Sequence, residues 1–363
     1  SKGYECRLVT GISEAGEDSI QWFAEKHNVN YTLLPDLKRS ISLFSDIRAT
    51  VSIIKMIKVW NPQIVHTHMS KAGLVGRTAV RLYNIFRKEK IKTVHTFHGH
   101  VFHSYFGKLK TKIFIFLERY LGNKTDAIIA ISGKQRNELL HMYRIGSKIK
   151  LREVPLGIDF KPVQKRKTNN RYMHIGMMGR IAEVKNYSLA IEIAEAIKKE
   201  KLPCIISIAG GGDDKKLEEY RSVIRGLGLE NIITFIGNVD APEQFWSDKD
   251  LAMITSKNEG TPVSLIESMF CGIPYLASRV GGIPDMVNGT VLRKNSNLYI
   301  YKNCVQIESH NADDYLKAIT LFLNDTVFKE DAERASLELS KKYSINRLLS
   351  DIDSVYTELL NDD

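Results

Sequence analysis

Strand-like apolar runs alternate with amphipathic helical runs along the whole chain, a rhythm that points to a parallel sheet wrapped by helices. In the first half "CRLVTG" reads as a strand, "SIQWFAEKH" as a helix and "VNYTLLP" as a strand. A long amphipathic helix follows over "SLFSDIRATVSIIKMIKVW", with its apolar residues at Leu43, Ile47, Val51, Ile54 and Ile57 or Met56. Strand "PQIVHTH" leads to the helix "GLVGRTAVRLYNIFRK", whose small residues permit close packing, and "KTVHTFHGH" is a strand running into a histidine-bearing loop. Helix "KLKTKIFIFLERYLGN", strand "DAIIAIS" and helix "GKQRNELLHMY" follow, the last opening on Ser132 and Gln135 at capping-box spacing. The rhythm breaks once, at the polar and basic "KPVQKRKTNNRYM", and then restarts with "MHIGMMGRI", "SLAIEIAEAIKKE" and "CIISIAGGGDD". The expected fold class is therefore α/β, with two Rossmann-like doubly wound domains, each holding a ligand crevice at the carboxyl ends of its strands. Residues 1–160 form the first domain, 161–171 the linker and 172–342 the second domain.

A length of 363 residues agrees with two cores rather than one. Runs such as "IFIFL" and "AIIAI" are far too short to cross a bilayer, and "SKGYECRLVT" reads as a turn and strand rather than a signal peptide. Cys6, Cys204, Cys271 and Cys304 are scattered without a C-x-x-C pair, which favours a reducing cytoplasm and gives no support for a cysteine-held metal. The net charge of +10 calls for an anionic partner. Phosphorylated small molecules, nucleic acid and an anionic membrane all satisfy it, although no clustered aromatic–basic stripe supports nucleic acid.

Chemistry concentrates in the second half. "GMMGRIAEVKN" sets Gly179 and Arg180 just after a buried strand, with Lys185 beyond, where two cations suit a diphosphate or simply line a solvated loop. The glycines Gly210, Gly211 and Gly212 mark a tight turn but match no dinucleotide fingerprint. Thr255 to Asp285 says more. Pro262 suits the first turn of a helix ending near Phe270, with amides at Val263, Ser264 and Leu265 free for anionic oxygens. Glu259 precedes that helix, where a carboxylate reaches hydroxyls, and Glu267 lies more than a turn inside it, placed for a vicinal diol such as a ribose.

The ordered set G-R-x4-K, A-G-x-G, F-x-G, S-x-x-E-G-x-P-x4-E, G-x-P and G-G-I-P-[ED] resembles the retaining glycosyltransferases of the GT-B fold, group 4. "NPQIVHTHMSKAGLVGR", "VHTFHGHVF", "DAIIAIS" and "VPLGID" extend the resemblance over nearly the whole chain. It implies an acceptor-side first domain, a donor-side second domain across a central cleft, and a helix at 343–363 packing back on the first domain. It implies that Arg180 and Lys185 bind the donor diphosphate together with the backbone at Gly260, Val263 and Ser264, and that Glu267 binds the ribose. Glu259 would contact the donor sugar's hydroxyls. His98 would approach that sugar and the reacting centre, which makes His98 and Glu259 the candidate catalytic pair. No metal or other cofactor is expected, since cations and a helix terminus stabilise the departing nucleotide. The implied partners are a nucleotide sugar, with UDP preferred, and a lipid-linked or surface-glycan acceptor. The implied location is the cytoplasm, with peripheral contact at the inner, anionic membrane face. Relative to the family, the first strand, its glycine loop and its helix are expected to be missing, and "MVNGTVLRKNSNLYIYKNCVQIES" reads as an extended polar surface hairpin.

Three readings stay open. The clusters His66, His68 and His95, His98, His100, His103 are compatible with a zinc site, although no metal signature accompanies them. "KLKTKIFIFLERY" fits a helix packed on the sheet or one docking on a membrane. A sugar-nucleotide epimerase of the same fold, or an inactive truncated subunit, would share the same motifs.

Overall fold

The computed structural model describes residues 3–12, 24–25, 27–38, 40, 42–98, 108–163 and 171–361. Most of the helix expected over Ser19–His27, linker residues 164–170 and the loop carrying His100 and His103 lie outside them. The chain divides into two compact units, Ser1–Val154 with Leu349–Asp363, and Pro155–Leu348.

In the first unit, β1 (Leu8–Thr10) and β2 (Tyr31–Leu33) pair in parallel as a sheet of their own. Helix α1 (Leu43–Trp60) leads to β3 (Ile64–His68), α2 (Ser70–Asn84), β4 (Lys92–Phe97), α3 (Lys108–Lys124), β5 (Ala127–Ala130), α4 (Gly133–Asn137) and β6 (Leu151–Glu153). Strands β3, β4, β5 and β6 form a parallel sheet in that order. The all-apolar β5 is buried throughout, as a strand covered on both faces must be. Ser132 caps α4 by accepting from the Gln135 amide at 3.2 Å, while the Gln135 side chain accepts from the Ile131 amide at 2.8 Å.

Helix α2 lies close to the sheet because Gly73 and Gly76 have no side chain. A Cβ on Gly73 would stand 2.4 Å from His95 Cε1, and one on Gly76 2.7 Å from Thr67 Cγ2. Between α2 and α3 the buried Arg77 donates through Nη2 to both Glu118 oxygens, at 2.8 and 2.7 Å. Burial pushes the Glu118 carboxyl up, and the guanidinium pulls it back down. Phe114 and Ile115 of α3 pack toward the sheet core, so that helix has an inner face, while Ile113 and Phe116 stay exposed.

Helix α1 departs from expectation. Leu43, Ile47 and Val51 point outward, and Ser45, Ala49 and Ile57 are the buried positions, with Ile53 and Met56 alongside. Small residues at 45 and 49 let the helix sit down on its neighbours, and this geometry outweighs the larger apolar row.

The second unit holds β7 (Met173–Met178), α5 (Tyr187–Lys199), β8 (Cys204–Ala209), α6 (Asp214–Leu227), β9 (Ile233–Gly237), α7 (Pro242–Trp246), β10 (Leu251–Ile254), α8 (Val263–Phe270) and β11 (Tyr275–Ser278). Then come β12 (Arg293–Asn295), β13 (Leu298–Ile300), β14 (Cys304–Ile307), α9 (Ala312–Asn324), α10 (Thr326–Ser340) and α11 (Ile345–Asn361). The eight-stranded order is β12-β13-β14-β11-β10-β7-β8-β9. The 293–307 segment is a surface hairpin only in part: β12 is exposed and pairs antiparallel with β13, but β14 pairs in parallel with β11 and is fully buried. Its polarity misleads because most of its buried polar atoms find partners, Gln306 Nε2 donating to the Ile283 carbonyl at 2.8 Å and Asn303 Oδ1 accepting from the Asn288 amide at 2.8 Å, with Gln306 Oε1 left unpartnered among the described residues. Helix α11 opens in this unit, where Arg347 Nη2 donates to the Leu156 carbonyl at 2.7 Å, and its residues from Leu349 on belong to the first.

Removing one partner of a buried ion pair leaves the other charge uncompensated, so Glu118→Ala should lower stability by about 3–5 kcal/mol. Denaturant unfolding monitored on the whole chain checks this, and a loss below about 1 kcal/mol would show that the pair is not structural.

Candidate functional site

The loops that follow β7, β8, β10 and β11 are stitched to one another by backbone hydrogen bonds. The Ile181 amide donates to the Gly211 carbonyl at 2.7 Å, and the Lys257 amide to the Val184 carbonyl at 2.8 Å. Gly282 donates to the carbonyls of Glu259 at 3.1 Å and Gly260 at 3.0 Å. Approach this close requires glycine. A Cβ on Gly210, at φ +137°, would stand 2.1 Å from the Gly179 carbonyl oxygen, and one on Gly281, at φ +55°, 1.6 Å from that of Glu259. The glycine run after β8 thus serves to lay one loop against the next.

Stitching brings Lys185 and Glu259 together. Lys185 Nζ lies 2.6 Å from Glu259 Oε1, and the same oxygen accepts from Ser256 Oγ at 2.6 Å. Both charged side chains are largely buried, 21 % and 11 % exposed. Thr255 Oγ1 donates to the Lys185 carbonyl at 2.9 Å, and Tyr187 OH to the Gly179 carbonyl at 2.8 Å, fixing both ends of the β7 loop. Burial holds the Tyr187 hydroxyl protonated by pushing its pKa up. Arg180 is exposed and has no carboxylate partner among the described residues.

Helix α8 starts beside that ion pair. Pro262 is its N-cap, with φ −67° and ψ 119°, and no side chain caps it. The Leu265 amide is not free as expected, because it donates to the Pro262 carbonyl at 3.2 Å; Val263 and Ser264 supply the leading amides. Thr261 Oγ1 is buried next to them without a hydrogen-bond partner. Glu267, further along α8, accepts from Trp246 Nε1 at 3.2 Å. Burial raises its pKa, with the indole N–H opposing and Glu243 adding to the rise. No hydrogen bond joins Glu267 to the Glu259 pair among the described residues. Tyr187, Trp246 and Thr261 carry no expectation from the sequence, and Ser256 enters there only as the first residue of the S-x-x-E motif, with no role. Ser256 stands in the same loop as Glu259 and was findable there, whereas nothing local marks Trp246.

In the first unit, His66 and His68 share one face of β3 with ring centroids 4.3 Å apart. His68 Nδ1 lies 2.9 Å from His98 Nε2. His66 bridges Thr96 Oγ1 at 2.7 Å and Tyr356 OH of α11 at 2.6 Å. His95 is separate from these, fully buried and 2.9 Å from Thr67 Oγ1. Burial first, and then the neighbouring rings, push His66 down to about 3 and His68 to about 4, and burial also lowers His98. The cluster is thus neutral near pH 7, suited to hydrogen bonding rather than charge. Among the described residues no group of three His, Cys, Asp or Glu is arranged to hold a metal ion.

Residues 160–338 match the family described as "Glycosyl transferases group 1", and residues 1–161 match "Glycosyltransferase Family 4". Together with the two-unit parallel α/β architecture, these matches make the chain a member of the GT-B glycosyltransferases. It is similar to the UDP-Gal:alpha-D-GlcNAc-diphosphoundecaprenol alpha-1,3-galactosyltransferase of Escherichia coli, 22% identical over 98% of this chain and 88% of that protein. The O-antigen biosynthesis glycosyltransferase WbnH of Escherichia coli is 27% identical over 92% of this chain and 86% of its own length. The crystal structure of Anabaena Alr3699/HepE in complex with UDP and glucose shares the fold, with a TM-score of 0.76 at 15% identity, covering 96% of this chain and 91% of that one. No helix among the described residues is long and apolar enough to cross a membrane.

The histidine cluster makes stability depend on pH. The unfolded chain takes up a proton at His66 near pH 6.5, and the folded chain refuses it until about pH 3. The corresponding stability is full above pH 6.5 and is lost progressively on acidification through that window. Urea midpoints followed from pH 7 to pH 4 should fall less steeply in His66→Gln than in the wild type, and parallel profiles would refute the assignment.

Proposed function

We propose that the chain transfers a sugar from a UDP-sugar to a hydroxyl of a lipid-linked or surface-polysaccharide precursor, with retention of anomeric configuration. The observation that carries this reading is the Glu259 carboxylate, shared by Lys185 and Ser256 beside the uncapped start of α8. Its support from relatives is the diphosphoundecaprenol-linked acceptor and UDP-Gal donor in the name of one, and the UDP and glucose bound to a structural neighbour.

In this scheme Arg180, Lys185 and the Val263 and Ser264 amides neutralise the donor diphosphate. Gly260 lets the backbone turn into that helix. Glu259 accepts hydrogen bonds from sugar hydroxyls, with Ser256 keeping its carboxylate in place as Lys185 turns to the phosphate. Glu267 receives the ribose diol while Trp246 steadies one of its oxygens. His98, held by His68, contacts the transferred sugar. The acceptor oxygen bonds to the anomeric carbon as the bond from that carbon to the β-phosphate oxygen breaks. The acceptor's proton passes to the departing phosphate on the same face, leaving UDP and a retained glycoside. Charge neutralisation falls to the cations and the helix terminus, with no metal assigned. We infer that the enzyme works in the cytoplasm, at the membrane face that carries such acceptors.

Glu267→Ala should weaken UDP binding at least about tenfold, or 1.4 kcal/mol, in calorimetry. Arg180→Ala should lose affinity by an amount that shrinks as salt rises. Unchanged affinity in Glu267→Ala removes the ribose assignment. Transfer should survive EDTA, and the product's anomeric configuration by NMR should match the donor's. Incubating UDP-, GDP- and ADP-sugars without acceptor separates the epimerase reading, which alone predicts an isomerised donor.

A further inference from the structure

The contact between His68 Nδ1 and His98 Nε2, at 2.9 Å, limits what the first unit can hold. His68 ends β3 and His98 directly follows β4, its parallel neighbour. Both rings therefore stand at the carboxyl edge of that sheet, where doubly wound sheets bind ligands. His66 stacks against His68 as a floor, with both of its ring nitrogens committed, to Thr96 and Tyr356. His68 Nε2 and His98 Nδ1 have no hydrogen-bond partner among the described residues, and both residues are exposed. The backbone is strained at the same point. Met69, between His68 and α2, sits at φ 65° and ψ 156°, a region that glycine alone adopts without cost. Strain of this kind persists where the surrounding structure holds a functional side chain in place.

One proton governs the pair. Two neutral rings joined through Nδ1 of His68 and Nε2 of His98 hold a single N–H between them. If His98 Nε2 donates, both rings are Nε2–H tautomers, and the open atoms are an N–H on His68 and a bare nitrogen on His98. If His68 Nδ1 donates, both are Nδ1–H tautomers, and those two roles are exchanged. Either way the open edge offers one donor, one acceptor and no charge. Hydroxyls match such an edge, because each of them both donates and accepts. A carboxylate or phosphate does not, since it has no proton for the bare nitrogen and sets one lone pair against another. An arriving anion could be met only by protonating a ring, which burial opposes at both positions.

We infer that the open edge of the His68–His98 pair binds two hydroxyls of an uncharged sugar and excludes sugars that place a carboxylate or phosphate there. That this sugar is the transferred one rests on the function proposed above, and with it the donors narrow to UDP-sugars with a neutral hexose, not a hexuronic acid.

The test is calorimetry on the full chain at pH 7.5 with UDP, UDP-glucose, UDP-galactose and the two corresponding UDP-hexuronic acids, each affinity taken relative to UDP. The better neutral sugar should bind at least about tenfold more tightly than its hexuronic acid. His68→Arg, which puts a fixed cation at the edge, should cut that ratio at least about tenfold, and His68→Phe, which keeps a ring on His66 without nitrogens, should bring it toward one. A merely structural role for His68 would weaken all the ligands together and leave the ratio alone. Equal binding of neutral and acidic sugars by the wild type overturns the inference, as does a ratio that neither variant moves. Failure to bind UDP or any UDP-sugar defeats the donor reading instead. The edge is then decided by imidazole ¹H–¹⁵N spectra of His68 and His98 titrated with the methyl glycosides of the same four sugars. Shifts caused by the neutral glycosides alone uphold the inference, and shifts caused by the uronides, or by none, overturn it. Without ligand the same spectra should show one tautomer shared by both rings, and unlike tautomers overturn the pairing on which the edge depends.

Discussion

The Lys185–Glu259 ion pair is the contact on which the arrangement of the second unit's strand-end loops converges. Its energetic value to the fold is modest, since a largely buried pair gives back in desolvation much of what it gains in attraction. Its positional value is larger. The pair spans the loops after β7 and β10, and backbone bonds fix each of those loops to a further neighbour: Ile181 to Gly211 on one side, Gly282 to Glu259 and Gly260 on the other. Gly210, Gly281 and Gly282 are needed there, because a Cβ on any of them would collide with a backbone carbonyl of the neighbouring loop. Ser256 supplies the remaining constraint, a hydroxyl donor that keeps Glu259 in place when the lysine is drawn to another anion.

The first unit solves a different problem with similar means. Gly73 and Gly76 bring α2 down onto β3 and β4, which buries His95 and encloses Arg77 with Glu118. Partial burial and the neighbouring rings lower the pKa of His66 and His68, so their rings work as neutral donors and acceptors near pH 7. His68 can then present His98 without adding charge, whereas an imidazolium pair 2.9 Å apart would repel itself.

Much of this was legible in the sequence, and the illegible parts share a cause. Strands β5 and β10 are continuous apolar runs, β11 is one but for Ser278, and the loop-to-helix junction at Pro262 is written in residue types that tolerate few alternatives. The Glu259 and Lys185 candidates stood in plain view, although only tertiary structure could show them bonded to each other. The misreadings arose where polarity and burial part company. Cys304–Ile307 carries a glutamine yet is buried because Gln306 finds partners in Ile283 and Tyr275. The sequence leaves the Leu265 amide free, but the opening turn of α8 closes on the Pro262 carbonyl and consumes it. Trp246, brought to Glu267 by a fold contact between α7 and α8, has no local signature at all.

Helix α1 is the instructive case, because its apolar residues are too many for one stripe. Periodicity can say that a row exists but not which of two rows the sheet selects. Selection went to Ser45, Ala49, Ile53 and Ile57, since small side chains at the crossing allow the backbone to approach Val75 of α2 and Leu34 beyond β2. Burying Leu43, Ile47 and Val51 instead would have held the helix further from the sheet and turned Ala49 to solvent. The outer row is therefore surplus to the packing of this unit, and its exposure follows from the choice of the smaller side chains for the crossing.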